Sequence, residues 1–85
     1  MFYIYILYSE SADRYYIGST SNLESRLEKH NLGGNTSTRP YRPWRMVHQE
    51  TYSTKTEALK REQQIKKMKS RQYIESLIEE SSSAG

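Results

Sequence analysis

The chain opens on an unbroken apolar run. Phe2 to Tyr8 reads Phe-Tyr-Ile-Tyr-Ile-Leu-Tyr, and β-branched and aromatic types dominate it. That composition predicts a strand buried on both faces and central in its sheet. Ser9 to Asp13 is turn chemistry. Arg14 to Gly18 reads as a second strand, so the two form an antiparallel hairpin. Side chains alternate along a strand, which puts Tyr3 and Tyr5 on one face of the first. Tyr16 and Gly18 share one face of the second, and Tyr15 and Ile17 take the other. A register that sets Tyr5 and Tyr16 on the same side lets their hydroxyls reach one spot.

After Gly18 the apolar spacing becomes helical. Ser21-Asn22-Leu23-Glu24 reads as a capping box that starts a helix. The helix runs to about Asn31, where Gly33-Gly34 stops it. Leu23 and Leu27 form its buried stripe. Asn22, Arg26 and His30 lie beside them at four-residue intervals as a polar stripe. Residues 35–44 form a polar loop with Pro40 and Pro43, and Arg45–Tyr52 reads as a third strand whose only aliphatics are Met46 and Val47. Thr54-Lys55-Thr56-Glu57 is a second capping box. The helix behind it is expected to turn Ala58, Leu59, Ile65 and Met68 inward, with Glu62 in the middle of that stripe. Arg71 to Glu79 continues as helix on Tyr73, Ile74, Leu77 and Ile78. The expected architecture is α/β of the α+β type, with three strands and about three helices. It forms one domain over 1–80 and a flexible tail over 81–85.

Composition narrows the chemistry. The 85 residues hold no cysteine, which removes disulfides and thiolate metal sites. No apolar run approaches the roughly 20 residues of a membrane span, and the N-terminus lacks a basic signal-peptide start. A cytoplasmic location is therefore the expectation. The net charge of +3 is modest but unevenly spread: Arg39 to Tyr73 carries ten Lys or Arg against Glu50, Glu57 and Glu62. Such a basic stretch suits a phosphate backbone, as it also suits a solvated helix face. Arg39, Arg42, Arg45, Lys60, Arg61 and Lys66 are the candidate backbone contacts. Trp44 and Tyr41 are candidates for stacking on unpaired bases.

The candidate chemistry lies in five side chains. A phenol titrates near pH ~10, so Tyr5 or Tyr16 needs a cation or a hydrogen-bond partner to act as a base. Arg26 stays charged and can grip a phosphate with two donors. His30 reads either as a helix-end histidine that suits the dipole or as a relay to a phenol or to water. Glu62 sits where a carboxylate is seldom left unpaired. One carboxylate with substrate oxygens and waters satisfies Mg²⁺. No second acid stands at a fixed spacing for a two-metal clamp, and no His/Cys cluster stands ready for zinc.

Four segments in order carry a family resemblance. They are Tyr3-Ile4-Tyr5, Tyr16-Ile17-Gly18, Asn22-Leu23-Glu24-Ser25-Arg26-Leu27 with His30-Asn31, and Glu57-Ala58-Leu59-Lys60-Arg61-Glu62 with Ile65-Lys66. From Tyr3 through about Ile78 the chain resembles the GIY-YIG nuclease superfamily. Its small stand-alone bacterial members, once likened to the N-terminal nuclease of the bacterial excinuclease, are the nearest match. Tyr3 stands where the family's name has Gly, and several branches use a downstream asparagine that has no counterpart after Asn35. The resemblance implies a three-stranded antiparallel sheet flanked by helices and one-metal hydrolysis of a phosphodiester. Tyr5 would be the base or the phenol that orients the attacking water, with Tyr16 assisting at the scissile phosphate. Arg26 would stabilise the transition state, His30 matches a histidine of some branches, and Glu62 would hold Mg²⁺ or Mn²⁺. The function expected is a metal-dependent DNA endonuclease with little sequence specificity, acting on single-stranded or branched DNA. The rival expectation is a nucleic-acid-binding module that is inactive or needs a protein partner.

Overall fold

A computed structural model describes residues 1–83, with side chains through residue 80. Residues 84 and 85, the end of the expected tail, lie outside the described residues. Three strands form one antiparallel sheet: β1 (Phe2–Ser9), β2 (Arg14–Thr20) and β3 (Arg45–Tyr52), in the order β2-β1-β3. The all-apolar strand is the central one, as its composition requires. Ile4, Tyr5, Ile6 and Leu7 are all buried, because helices cover both faces of the sheet.

Alternation along β1 splits the core in two. Ile4 and Ile6 join Ile17 on one face and pack under α2 (Lys55–Met68) and α3 (Arg71–Ser83) through Ala58, Ile65 and Leu77. Tyr5 and Leu7 point to the other face. There they meet Trp44, together with Leu23 and Leu27 of α1 (Leu23–Asn31). A bulge interrupts the β1–β3 ladder: Ile6 pairs with His48 and Leu7 with Met46, so Val47 is the extra residue.

The helix ends follow local chemistry, with two corrections to the sequence reading. Asn22, not Ser21, caps α1, and its side chain accepts from Ser25 N–H at 3.0 Å. Thr20 moves the start by one residue, because its hydroxyl bonds both the N–H (3.1 Å) and the carbonyl (3.2 Å) of Asn22. The other end of α1 closes as a Schellman motif. Gly34 N–H reaches Lys29 O at 2.9 Å and Gly33 N–H reaches His30 O at 3.2 Å, with Gly33 at φ +84°. Thr54 caps α2 by accepting from Glu57 N–H at 3.2 Å. The second correction concerns the buried side of α2. Ala58 and Ile65 are buried, whereas Leu59 and Met68 face solvent. A helix lying flat on a sheet buries a narrow stripe, and both residues fall outside it.

One polar cluster fastens the α2–α3 layer to the sheet. Glu50 of β3 accepts from Arg61 Nε (2.8 Å), Arg61 Nη2 (3.2 Å) and the Tyr52 hydroxyl (2.6 Å), and lies 2.8 Å from His48 Nε2. Burial alone would raise the Glu50 pKa. The hydrogen bonds from Arg61, Tyr52 and His48 outweigh it and bring the carboxyl down to about 2. A depressed carboxylate stabilises the fold above its unfolded pKa, and that contribution is lost as pH falls through its folded one. Glu50→Gln is therefore expected to cost about 1–2 kcal/mol at pH 7, allowing for the water that still reaches the group. It should also flatten the fall in stability between roughly pH 4.5 and 2. Urea denaturation of both proteins across that range measures this.

Candidate active site

Tyr5 and Gly18 are direct partners across β1 and β2. The Tyr5 ring lies over the glycine so closely that a Cβ built at position 18 falls 2.5 Å from the phenolic oxygen and 2.6 Å from Cζ. Any other residue there would expel the ring, which gives the glycine of Tyr16-Ile17-Gly18 its physical reason. Tyr16, two residues earlier on the same face, brings its ring centroid to 6.4 Å from that of Tyr5.

The last turn of α1 reaches the same place. His30 is buried, with Nε2 at 3.2 Å from the Tyr5 hydroxyl and its ring 4.8 Å from that of Tyr16. His30 lies in the last turn of α1, and its ring is within hydrogen-bond reach of a phenol. Tyr5 is only 2% exposed. Burial raises its pKa well above the ordinary phenol range, the Tyr16 phenol and Glu62 add to the rise, and Arg26 opposes it. Arg26 of α1 and Glu62 of α2 thus both reach this phenol electrostatically, although their helices pack on opposite faces of the sheet. The His30 pKa is lowered by burial, then by Arg26 and Lys29, which favours the uncharged ring.

Arg26 borders a cavity of about 210 Å³ that it shares with Lys55, Ser19, Thr20 and Ser21. Phe2 and Ala58 complete the lining, and the two cations and three hydroxyls make the recess compatible with a phosphate. The Glu62 side chain is 13% exposed and bonded to the half-exposed Lys66 at 2.7 Å. Among the described residues no three His, Cys, Asp or Glu gather as a ready-made metal cluster. The donor set is one shielded carboxylate, which fits a hard cation that keeps most of its water.

The structure brings Tyr5, Tyr16 and His30 into contact, and Arg26 and Glu62 act on Tyr5 through their charges. The expected backbone contacts differ in how they are engaged. Trp44 offers no face for stacking: it is 5% exposed and its Nε1–H donates to Thr38 O at 2.9 Å. Arg61 is taken up by Glu50. Arg39 and Arg42 are held by the end of α1, with Arg39 Nε on Gly33 O at 2.9 Å and Arg42 Nε on Arg39 O at 2.9 Å. Arg45 pairs with Glu10 at 3.3 Å, both exposed. Lys60 is exposed.

Two residues escaped the sequence reading. Thr38 lies 2.8 Å from His30 Nδ1. Asn31 clamps the following loop, donating from Nδ2 to Trp44 O (3.0 Å) and accepting Trp44 N–H on Oδ1 (2.6 Å). Asn31 stands in the matched His30-Asn31 segment but was given no role of its own. Thr38 had none.

Comparison with known proteins gives the family. The model of the GIY-YIG catalytic domain matches residues 1–74. The chain belongs to the GIY-YIG family. It is 42% identical over 79 residues to UPF0213 protein SH2523 of Staphylococcus haemolyticus, covering 92% of this chain and 94% of that one. A UPF0213 protein of Staphylococcus aureus is 50% identical over 52 residues, spanning 60% of this chain and 63% of that relative. The solution structure of UPF0213 protein BH0048 from Bacillus halodurans superposes with a TM-score of 0.58 at 33% identity, covering 93% of this chain and 84% of that chain. That neighbour has the same α+β fold. Family membership implies a nuclease-type function directed at DNA. Among the described residues, no helix is long and apolar enough to cross a membrane.

The contact between residues 5 and 18 has a measurable cost attached. Gly18→Ala is expected to lose about 1–3 kcal/mol of stability through overpacking. The Tyr5 ring is enclosed and tied to His30, so it has nowhere to go. Thermal unfolding by circular dichroism reads the loss, and an unchanged melting temperature would refute the close approach.

Proposed function

We propose that this chain is a divalent-metal-dependent endonuclease that hydrolyses DNA phosphodiester bonds with little regard to sequence. The observation that carries the reading is an enclosed phenol–imidazole pair whose phenol feels the charges of both Arg26 and Glu62. A pure binding module gains nothing from a shielded carboxylate such as Glu62. Contacts to phosphates carry no sequence information. With Trp44 buried, the case for a preference for unpaired bases rests on Tyr41 and the loop arginines.

The scissile phosphate would lie between Tyr16 and the recess lined by Arg26 and Lys55. A guanidinium placed there stabilises charge that grows on the phosphorus oxygens during in-line attack. Tyr5 and Tyr16 would hold the attacking water. Because burial keeps Tyr5 protonated at rest, it becomes a base only while handing its own proton to His30 Nε2. Glu62, released from Lys66, would hold Mg²⁺ or Mn²⁺, which when bound polarises the phosphate and neutralises the departing 3′ oxygen. Lys66 is then available to the DNA backbone. Lys60 and Arg45 would add general attraction for DNA.

The test is cleavage of labelled single-stranded, duplex and branched DNA by the purified protein, with Mg²⁺, Mn²⁺ or chelator. Arg26→Ala should lower kcat by about 10²–10³. Tyr5→Phe and Glu62→Gln should lose chelator-sensitive cleavage while DNA binding largely persists. Cleavage that survives chelation, or equal cleavage by the three variants, would refute the mechanism. Tight binding without cleavage in either metal would make the chain a binding module, and activity only after adding cell extract would make it a partner-dependent component.

A further inference from the structure

Which nitrogen of His30 carries its proton decides what Tyr5 can do. A neutral imidazole has one donor and one acceptor nitrogen. Here Nε2 faces the Tyr5 hydroxyl at 3.2 Å and Nδ1 faces Thr38 Oγ1 at 2.8 Å. All three residues are at most 2% exposed.

The Thr38 end of this chain of contacts sets its polarity. Thr38 Oγ1 lies 3.3 Å from the Asn35 carbonyl, to which it donates. A hydroxyl has one proton, and with that proton on Asn35 it meets Nδ1 as an acceptor. At the other end, the Tyr5 hydroxyl has His30 Nε2 as its only hydrogen-bond partner among the described residues.

We infer that Thr38 is a positioning residue that holds His30 as the Nδ1–H tautomer, leaving Nε2 bare and aimed at the Tyr5 phenol. The surrounding structure is built to keep Thr38 there. Its carbonyl accepts from Trp44 Nε1 at 2.9 Å and from Tyr41 N–H at 3.1 Å. Trp44 is in turn gripped at both backbone groups by Asn31, the residue after His30. One helical turn therefore supplies the imidazole and the clamp that brings its partner. The other groups facing the pair are Tyr16 from β2, Arg26 and Lys29 from α1, and Glu62 from α2 by way of Tyr5. Among the described residues only Thr38 bonds Nδ1.

The consequence for catalysis rests on the nuclease reading; the tautomer itself does not. As the water oxygen bonds to phosphorus, one water proton passes to Tyr5 Oη and the phenol proton passes to Nε2. The bond to the departing oxygen breaks, and that oxygen takes a proton from solvent. The imidazolium rests with Nδ1–H on Thr38 and Nε2–H on Tyr5. Its extra proton later returns through Tyr5 to solvent, which restores the starting state.

Long-range proton–nitrogen correlation of the ¹⁵N-histidine-labelled full chain reads the tautomer directly, with His30→Gln assigning the signals. The wild type should show a pyrrole-type Nδ1 and a pyridine-type Nε2. Thr38→Val should move the proton to Nε2 and lower kcat by about 10- to 100-fold with KM within about twofold. Thr38→Ser should keep the tautomer and most of the rate. A proton on Nε2 in the wild type, an unchanged tautomer in Thr38→Val, or a changed tautomer with cleavage intact would each overturn the inference. If Thr38→Val does not fold, the wild-type and Thr38→Ser spectra still decide it. A wild type that cuts no DNA would sink the nuclease reading while the spectrum continued to judge Thr38.

Discussion

The arrangement depends on a missing side chain. Because position 18 carries no Cβ, the Tyr5 ring can lie down on β2 and send its hydroxyl toward α1. Without that approach the phenol would stand away from the sheet and His30 would lose its partner. The same contact sets the electrostatics: a ring pressed against backbone is shielded from water, and shielding is the first cause of its raised pKa. Steric fit and acid–base character are thus one constraint seen twice.

A small sheet with helices on both faces can spread a site over several elements at little cost in length. Here β1, β2 and α1 furnish the phenols, the imidazole and the guanidinium, while α2 sends the carboxylate from the opposite layer. Each functional group therefore stands on an element held by its own apolar stripe. Arg26 is flanked by Leu23 and Leu27, and Glu62 by Ala58 and Ile65. The Glu50 cluster keeps the layer that carries Glu62 in place without lying in the site.

Much of this was legible in the chain. The hairpin followed from composition and alternation, and the central place of β1 from a run with no polar side chain. Glu62 announced itself as an acid out of place in an apolar stripe. The failures came where a tertiary contact decides. Trp44, set among Pro43, Arg42 and Arg45, reads as an exposed platform, yet the loop folds it under and uses its ring N–H to anchor Thr38. Thr38 itself is an ordinary loop threonine until α1 and the loop come together. Leu59 and Met68 satisfy a helical period but lie outside the stripe the sheet actually covers. Local pattern specified the elements; the polar partners of the site needed the fold.

The extra residue at Val47 bears on how copies of this chain meet one another. A flat outer strand exposes an even row of backbone donors and acceptors on which a neighbouring polypeptide can stack and spread into aggregates. A bulge coils the strand locally and breaks the evenness of that row. With polar residues such as Gln49 and Thr51 following it, β3 makes a poor template for sheet growth. The chain can thus keep a strongly apolar central strand with little risk of propagating it from molecule to molecule.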